Sequence, residues 1–357
     1  MLRASQVASV TFVVNPPSQS TLMSLRSEFT STLRSVLAVR GEPQPVALLD
    51  VPGHANVGDQ LIYLGELSLL KNAGVDIRFQ CRMGQRFERN LRKLHPEGPL
   101  LMQGGGNLGD LWPGFQEWRE LVIKTFGDRP IVVLPQSLHF ESAANAECAR
   151  RVFAGHPNLT LLLRDNRSLE QARRLFPETS SVYCPDASIG FDPVPPATDA
   201  EVGVLVLRRG DKESREAWTI DGSFSQETYD WSGTTDAARK LKQLSWSDNR
   251  KLNRAVGPFS HLLASRRSEA YKLGAQEVVA SGAKLLSRGR VVVTDRLHAA
   301  VLARLLDRPV VALDNSYGKI SAAMDCWLGE LGGVAMARNP SEAAELVARF
   351  DAKQRVV

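Results

Sequence analysis

Short β-rich runs alternate with stretches of helical spacing along most of this chain, and that rhythm restricts the fold more than any other feature. Strands are expected at Val46–Leu49, Val75–Phe79, Pro99–Met102, Ile131–Leu134 and Leu159–Leu163, with helices near 59–73, 83–94, 114–126, 142–154 and 166–176 between them. Such alternation is the pattern of a parallel sheet covered by helices on both faces. It pauses at Asp192–Asp199, a Pro- and Asp-rich stretch that reads as a linker. It resumes with strand Val202–Leu207, a long helix over 267–287, strand Val291–Val293, helix Leu297–Leu306 and strand Val310–Leu313. The fold class is therefore α/β, with two Rossmann-like doubly wound domains facing across a cleft. The expected division is an N-terminal arm and helix over 1–40, a first domain over 41–192, a linker over 193–200, a second domain over 201–338 and a C-terminal helix over 339–357. That last helix has a start signal in Asn339-Pro340-Ser341-Glu342. Ligands of doubly wound sheets bind at the carboxyl ends of the strands, so the functional residues belong in the cleft.

Composition narrows the ligand. A length of 357 residues with 43% apolar residues suits two domains, each with a full core. The net charge of +5 favours small anions and is compatible with an acidic membrane surface. No Lys/Arg run interleaves with aromatics, which argues against nucleic acid. Cys81, Cys148, Cys184 and Cys326 are scattered and form no CxxC pair, a usage that fits a reducing cytoplasm and argues against a zinc site. No acidic cluster or His pair suggests a metal. The apolar stretch Val7–Val14 is too short to span a membrane.

Four segments at expected strand ends carry chemistry. Gly53-His54-Ala55-Asn56-Val57-Gly58-Asp59 follows the first strand and opens a helix, whose N-terminal amides can face an anion. Asp59 reads there either as a helix cap or as a site residue. Gly104-Gly105-Gly106-Asn107 follows another strand. Three consecutive glycines cost backbone entropy and point to a ligand passing close to the chain, although the dinucleotide fingerprint is not met. In Leu163-Arg164-Asp165-Asn166-Arg167, Arg164 suits a forked bond to a carboxylate or phosphate and Arg167 reads as solvated. The fullest segment is Thr294-Asp295-Arg296-Leu297-His298-Ala299, between a buried valine strand and an apolar helix. It combines guanidinium, imidazole and helix-start amides. Lys319, after the next strand, can reach the same place. Trp218, Tyr229 and Trp231 lie in a polar segment without periodicity and read either as stacking platforms for a sugar or as packing for their own loop.

In this order and placement, Asn56-x-Gly58-Asp59, the Gly104–Gly106 loop, Arg164, Asp295-Arg296-Leu297-His298-Ala299 and Lys319 resemble the polysaccharide pyruvyltransferase family over about residues 45–335. Arg209-Gly210-Asp211-Lys212-Glu213 and Asp230-Trp231-Ser232 resemble the members that decorate bacterial exopolysaccharides. The resemblance implies a two-domain architecture like that of GT-B glycosyltransferases. It implies phosphoenolpyruvate as donor, no separate cofactor, and a sugar or lipid-linked oligosaccharide as acceptor. Donor contacts are expected from Arg164, Arg296, Leu297 (through its backbone), His298, Lys319, Gly105 and Gly106. Acceptor contacts are expected from Asn56, Asn107, Arg209, Asp211 and Trp231. His298 would hold the phosphate or supply a proton, and Asp59 would be the base for an acceptor hydroxyl. The competing readings are a nucleotide-sugar glycosyltransferase of the same architecture and a non-catalytic module for anionic glycans. The first would answer to a nucleotide sugar, and the second would bind glycan without releasing phosphate.

Overall fold

The computed structural model describes residues 18–39, 42–83, 87–194, 200–210, 213, 218–222, 225–231 and 258–354. Its framework is a pair of parallel sheets. The first holds β1 (Val46–Leu49), β2 (Ile77–Cys81), β3 (Leu100–Met102), β4 (Gly105–Gly109), β5 (Ile131–His139), β6 (Leu159–Leu163) and β7 (Ser180–Tyr183), in the spatial order β2-β1-β3-β5-β6-β7. Strand β4 pairs with the carboxyl-terminal half of β5. The second holds β8 (Val202–Leu207), β9 (Gln226–Tyr229), β10 (Gly289–Thr294), β11 (Val310–Leu313) and β12 (Val334–Ala337), in the order β9-β8-β10-β11-β12. Every ladder in both sheets is parallel. Strands β1, β3 and β11 are buried along their whole length, which is why they read as unbroken apolar runs.

Both sheets reverse direction early. The chain leaves β1 for β2 and returns to the other side of β1 as β3. In the second sheet β8, β9 and β10 repeat the manoeuvre. Each reversal opens a crevice beyond the strand ends, where connections depart in opposite directions. Asp50–Asn56 and Gln103–Gly106 leave the first crevice, and Arg208, Arg209, Asp295 and Arg296 leave the second. These are the motif segments.

Helix α2 (Val57–Asn72) fixes how the halves meet. It is apolar on most of its surface because it lies between them. Helix α1 (Gln19–Leu37) buries Leu25, Phe29, Leu33 and Leu37 in the same core. On the other side runs α7 (Pro258–Ser287), where a Cβ on Gly282 would lie 2.5 Å from Val57 Cγ1. Helix α8 (Leu297–Leu305) completes the packing, and one apolar core extends from Phe29 and Leu61 to Leu302 and Trp327. The halves are thus joined by a continuous core, and the cleft opens at their strand ends.

Several elements differ from expectation. Gly105–Gly109, taken for a loop, is a strand because β5 runs on past Leu134 to His139 and offers it a partner. The polar stretch after β8 contributes the edge strand β9, with alternating exposure. Helix α7 starts at Pro258, well before 267. The tail of the expected linker, 195–199, lies outside the described residues, as does Asp211. Helix α10 (Pro340–Gln354) starts where Asn339 Oδ1 accepts from Glu342 N, as its start signal requires. No helix among the described residues is long and apolar enough to cross a membrane.

Candidate active site

A cleft of about 310 Å³ opens where the two crevices meet. The first half contributes His54, Asn56, Asp59, Gly106, Asn107 and Trp112. The second contributes Arg209, Glu213, Trp231, Arg296, Leu297, His298 and Lys319.

The floor is the glycine loop. Gly104 N donates to Glu66 Oε1 (2.7 Å), Asn107 N to Gln136 Oε1 (3.0 Å), and Gln136 Nε2 to Gln103 O and Asn107 Oδ1. Arg119 also donates to Asn107 Oδ1. Braced from below, the loop presents the backbone of Gly106. A Cβ on Gly106 would overlap Lys319 Nζ and sit 3.0 Å from Arg164 Nη2, so two cationic groups converge where only glycine fits. Gly105 has φ +140° and faces Ile62, away from the cleft, so it provides the turn and no wall.

Helix α2 enters from the first half. Asn56 caps it, its Oδ1 accepting from Gly58 N (2.9 Å) and Asp59 N (3.4 Å). Asp59 is therefore released from capping. Its carboxylate lies 3.6 Å from His54 Nε2, and its carbonyl accepts from Gln103 Nε2. The Gly58 position lets the other half approach, since a Cβ there would lie 2.9 Å from His298 Nδ1.

The cations do not stand alone. Arg164, expected to face the donor, is fully buried and pairs through Nη1 with Asp186 (2.5 Å). His298 Nε2 lies 3.4 Å from the same carboxylate and 3.3 Å from Arg164 Nη1. Burial opposes ionisation of Asp186, but Arg164 and then His298 hold its pKa far below the usual carboxylate range. Arg164 Nε donates to Ser137, while Nη2 is buried with no partner among the described residues. Arg296 Nη2 pairs with Asp230 at 2.5 Å. Glu213 binds Arg209 (2.8 Å) and Lys319 (3.4 Å), and accepts from Trp112 Nε1 (3.1 Å) across the cleft. Burial raises the pKa of Glu213, but Lys319 and Arg209 bring it down to about 2.

Other expected residues sort by what they touch. Arg167, read as solvated, has an exposed side chain whose Nη1 nevertheless donates to Tyr317 O (2.5 Å) in the other half. Trp218 Nε1 donates to Asp295, which also accepts from Arg209 N. Tyr229 OH is engaged by Glu227 and Arg288. Both aromatics pack on their own half, and of the three only Trp231 lines the cleft. Leu297 occupies the first turn of α8, directly after the N-cap Arg296. Sequence reasoning missed His54 as the partner of Asp59, Trp112, and Asp186 as the carboxylate behind His298. Asp186 carries one faint signal, the Asp-Ala-Ser turn in which its Oδ1 accepts from Ser188 N and Oγ.

Residues 56–317 match the family described as polysaccharide pyruvyl transferase. The chain belongs to the polysaccharide pyruvyl transferase family. The matched range includes Asn56, Gly106, Arg164, Arg296 and His298, while His54 and Lys319 lie just outside it. Pyruvyl transferase 1 of Schizosaccharomyces pombe is 29% identical over 294 residues, covering 79% of this chain and 69% of its own. EpsO of Bacillus subtilis, which carries the pyruvyl transferase name provisionally, is 28% identical over 93% of this chain and 99% of its own. General stress protein 30 of the same bacterium is 24% identical over 82% of this chain and 81% of its own. The fold is shared with a crystal structure of an uncharacterised Klebsiella pneumoniae protein, at TM-score 0.57 and 17% identity, over 88% of this chain and 98% of that one.

Proposed function

We propose that this family member transfers a pyruvyl group from phosphoenolpyruvate onto two hydroxyls of a sugar in an exopolysaccharide or its lipid-linked precursor, releasing phosphate. The observation that carries the reading is the buried Arg164 Nη2, which has no partner among the described residues and lies with Lys319 Nζ at the Gly106 floor. An orphaned, desolvated donor costs about 1–3 kcal/mol. A phosphate or carboxylate oxygen at the glycine floor would remove that penalty. Arg296, the first turn of α8 and His298 surround the same space, which suits an anion with two acidic groups. The reading takes the two halves as facing Rossmann-like units in the GT-B manner, working on the cytoplasmic side.

The chemistry needs a proton at the methylene carbon of the donor and a hydroxyl oxygen at C2. A second hydroxyl then displaces phosphate and closes the ketal. His298 contacts the phosphate and, with Asp186 beside it, is placed to pass a proton toward the donor. Asp59 and His54 face it from the first half and accept the hydroxyl proton. The carboxylates Asp186, Asp230 and Glu213 hold the cations in fixed orientations before the anion arrives, so little reorganisation accompanies the reaction.

Thermal unfolding with added donors tests this. Phosphoenolpyruvate should raise the melting temperature of the wild type, and Arg296→Ala and His298→Ala should each remove that rise while circular dichroism stays native. A rise with nucleotide sugars instead would assign a glycosyltransferase. Phosphoenolpyruvate binding with no phosphate release in the presence of a panel of bacterial glycans would leave only a binding module.

A further inference from the structure

We propose that a second basin, beside the cleft and bordered by the same Lys319, binds an acidic group carried by the acceptor beyond the sugar being modified. The proposal rests on the pyruvyl-transfer reading above. The basin encloses about 490 Å³ between helix α6 (Asn166–Leu175) and the loop ending at Lys319, and so lies between the two halves. His139, Phe140, Arg167, Arg174, Tyr317 and Lys319 line it. Lys319 also lines the cleft, where its Nζ contacts Gly106 O and Glu213. Lys319 thus forms a wall shared by cleft and basin, and a glycan whose reacting sugar sits in the cleft would reach the basin over that side chain.

The charge of the basin differs from that of the cleft. Arg164, Arg209, Arg296 and Lys319 each meet a carboxylate of the protein. Among the described residues, no carboxylate pairs with Arg167 or Arg174. Among the described residues, the acidic groups on the basin wall, Asp165 and Glu170, form no ion pair with them. Asp165 is engaged by Ser137 Oγ (2.9 Å) and Ser168 N (2.7 Å), and Glu170 pairs with neither arginine. The two guanidinium groups sit seven residues apart on one face of α6, two turns along it. Arg167 is held in place. Its Nη1 donates to Tyr317 O, and it passes so close to Gly318 (φ +78°) that a Cβ there would lie 2.9 Å away.

The wall next to these cations is flat and aromatic. His139 from the first half stacks on Tyr317 from the second, with ring centroids 4.7 Å apart and planes 26° from parallel. A plate with polar edges beside unpaired guanidinium groups suits a sugar ring carrying an anion. Phosphoenolpyruvate has no need of it, since the cleft already supplies cations for both acidic groups of the donor. The acidic group is a uronate carboxylate within the glycan or the diphosphate that joins it to a lipid carrier. Both offer planar or tetrahedral oxygens to a guanidinium fork.

Calorimetry on the full chain saturated with phosphoenolpyruvate tests the assignment. The probes are tetragalacturonate with uncharged cellotetraose as its control, and geranyl diphosphate with geraniol. The wild type should prefer at least one acidic probe over its neutral counterpart by about tenfold or more, as one charge-assisted fork provides. Arg167→Ala combined with Arg174→Ala should abolish the preference. Arg174→Ala alone, whose side chain has no hydrogen-bonding or ionic partner among the described residues, should lower it without disturbing the fold. Preference for the galacturonate alone identifies a uronate, and preference for the diphosphate alone identifies the carrier linkage. Equal binding of acidic and neutral probes by the wild type, or a preference that survives the double substitution, would overturn the proposal. Loss of the phosphoenolpyruvate thermal shift in the wild type would instead remove the reading on which it rests.

Discussion

Arg164 and Arg167 are three residues apart, follow the same strand, and have opposite fates. Arg164 is buried at the cleft floor, tied to Asp186 and Ser137 and within reach of His298. Arg167 is exposed and holds the neighbouring loop through one carbonyl. The first belongs to a buried network in which every cation has a carboxylate; the second belongs to a basin where, among the described residues, neither its own guanidinium nor that of Arg174 has one. A strand end thus determines that a side chain reaches the ligand level of the fold, but not whether it meets ligand, protein or water. That outcome depends on residues far away in sequence.

The sharpest way to break this contrast is Arg164→Met. It leaves Asp186 buried with only His298 and Ser188 beside it. Removing one partner of a buried ion pair costs about 3–5 kcal/mol. Denaturant unfolding should show a loss of that size, with phosphate release abolished. An unfolding free energy within about 1 kcal/mol of wild type would mean that the pair is dispensable and the two arginines are alike.

Acidification probes the same network. Glu213 is ionised in the folded state down to about pH 2, whereas in an unfolded chain it titrates near 4.5. A depressed folded pKa contributes stability that is fully present above the unfolded value and fades as pH falls from about 4.5 toward 2. The contribution above that window is roughly 3 kcal/mol. Glu213→Gln should therefore be less stable than wild type at pH 7, with the gap narrowing below about pH 4.5. A gap independent of pH would show that Glu213 acts through shape alone.

Gly106→Ala tests the cleft floor with less effect on the fold. The added methyl must displace Lys319 Nζ, the flexible end of a side chain, so stability should change little. Displacing a cation by about 1 Å in a preorganised site costs on the order of 100-fold in rate. The loss should appear in donor kinetics, with acceptor binding in the adjoining basin retained.

How far the sequence reveals these features depends on the element. Strands β1, β6, β8 and β11 have the expected bounds because each is an apolar run closed by polar or glycine-rich residues. Strand β4 was hidden by its glycines, and its pairing depends on the overrun of β5, which Pro135 within that strand disguised. Strand β9 is a polar edge and follows no apolar pattern. In the site, Arg296, His298, Lys319, Gly106 and Asp59 were legible because strand ends and helix starts are local features. Asp186, Glu213 and Asp230 were not read as counterions, because each is brought to its cation by packing between separate segments. The carboxylate beside Arg164 and the carbonyl that holds Arg167 also come from distant segments, so neither contact is local in the sequence.

The smallest expected effect is that of Arg167→Ala on stability. The lost bond ends on a backbone carbonyl at the rim of the basin, and the guanidinium leaves behind no buried charge. Water can replace the donor at Tyr317 O, so the cost should stay below about 1 kcal/mol. The stack of His139 on Tyr317 should persist, since it depends on the two rings and on Glu141 beside the imidazole. Thermal unfolding should therefore place this variant near wild type and far above Arg164→Met. A loss comparable to that of Arg164→Met would mean that Arg167 joins the halves as strongly as the buried pair does. The basin would then be part of the packing between them and not a surface left open for an acceptor.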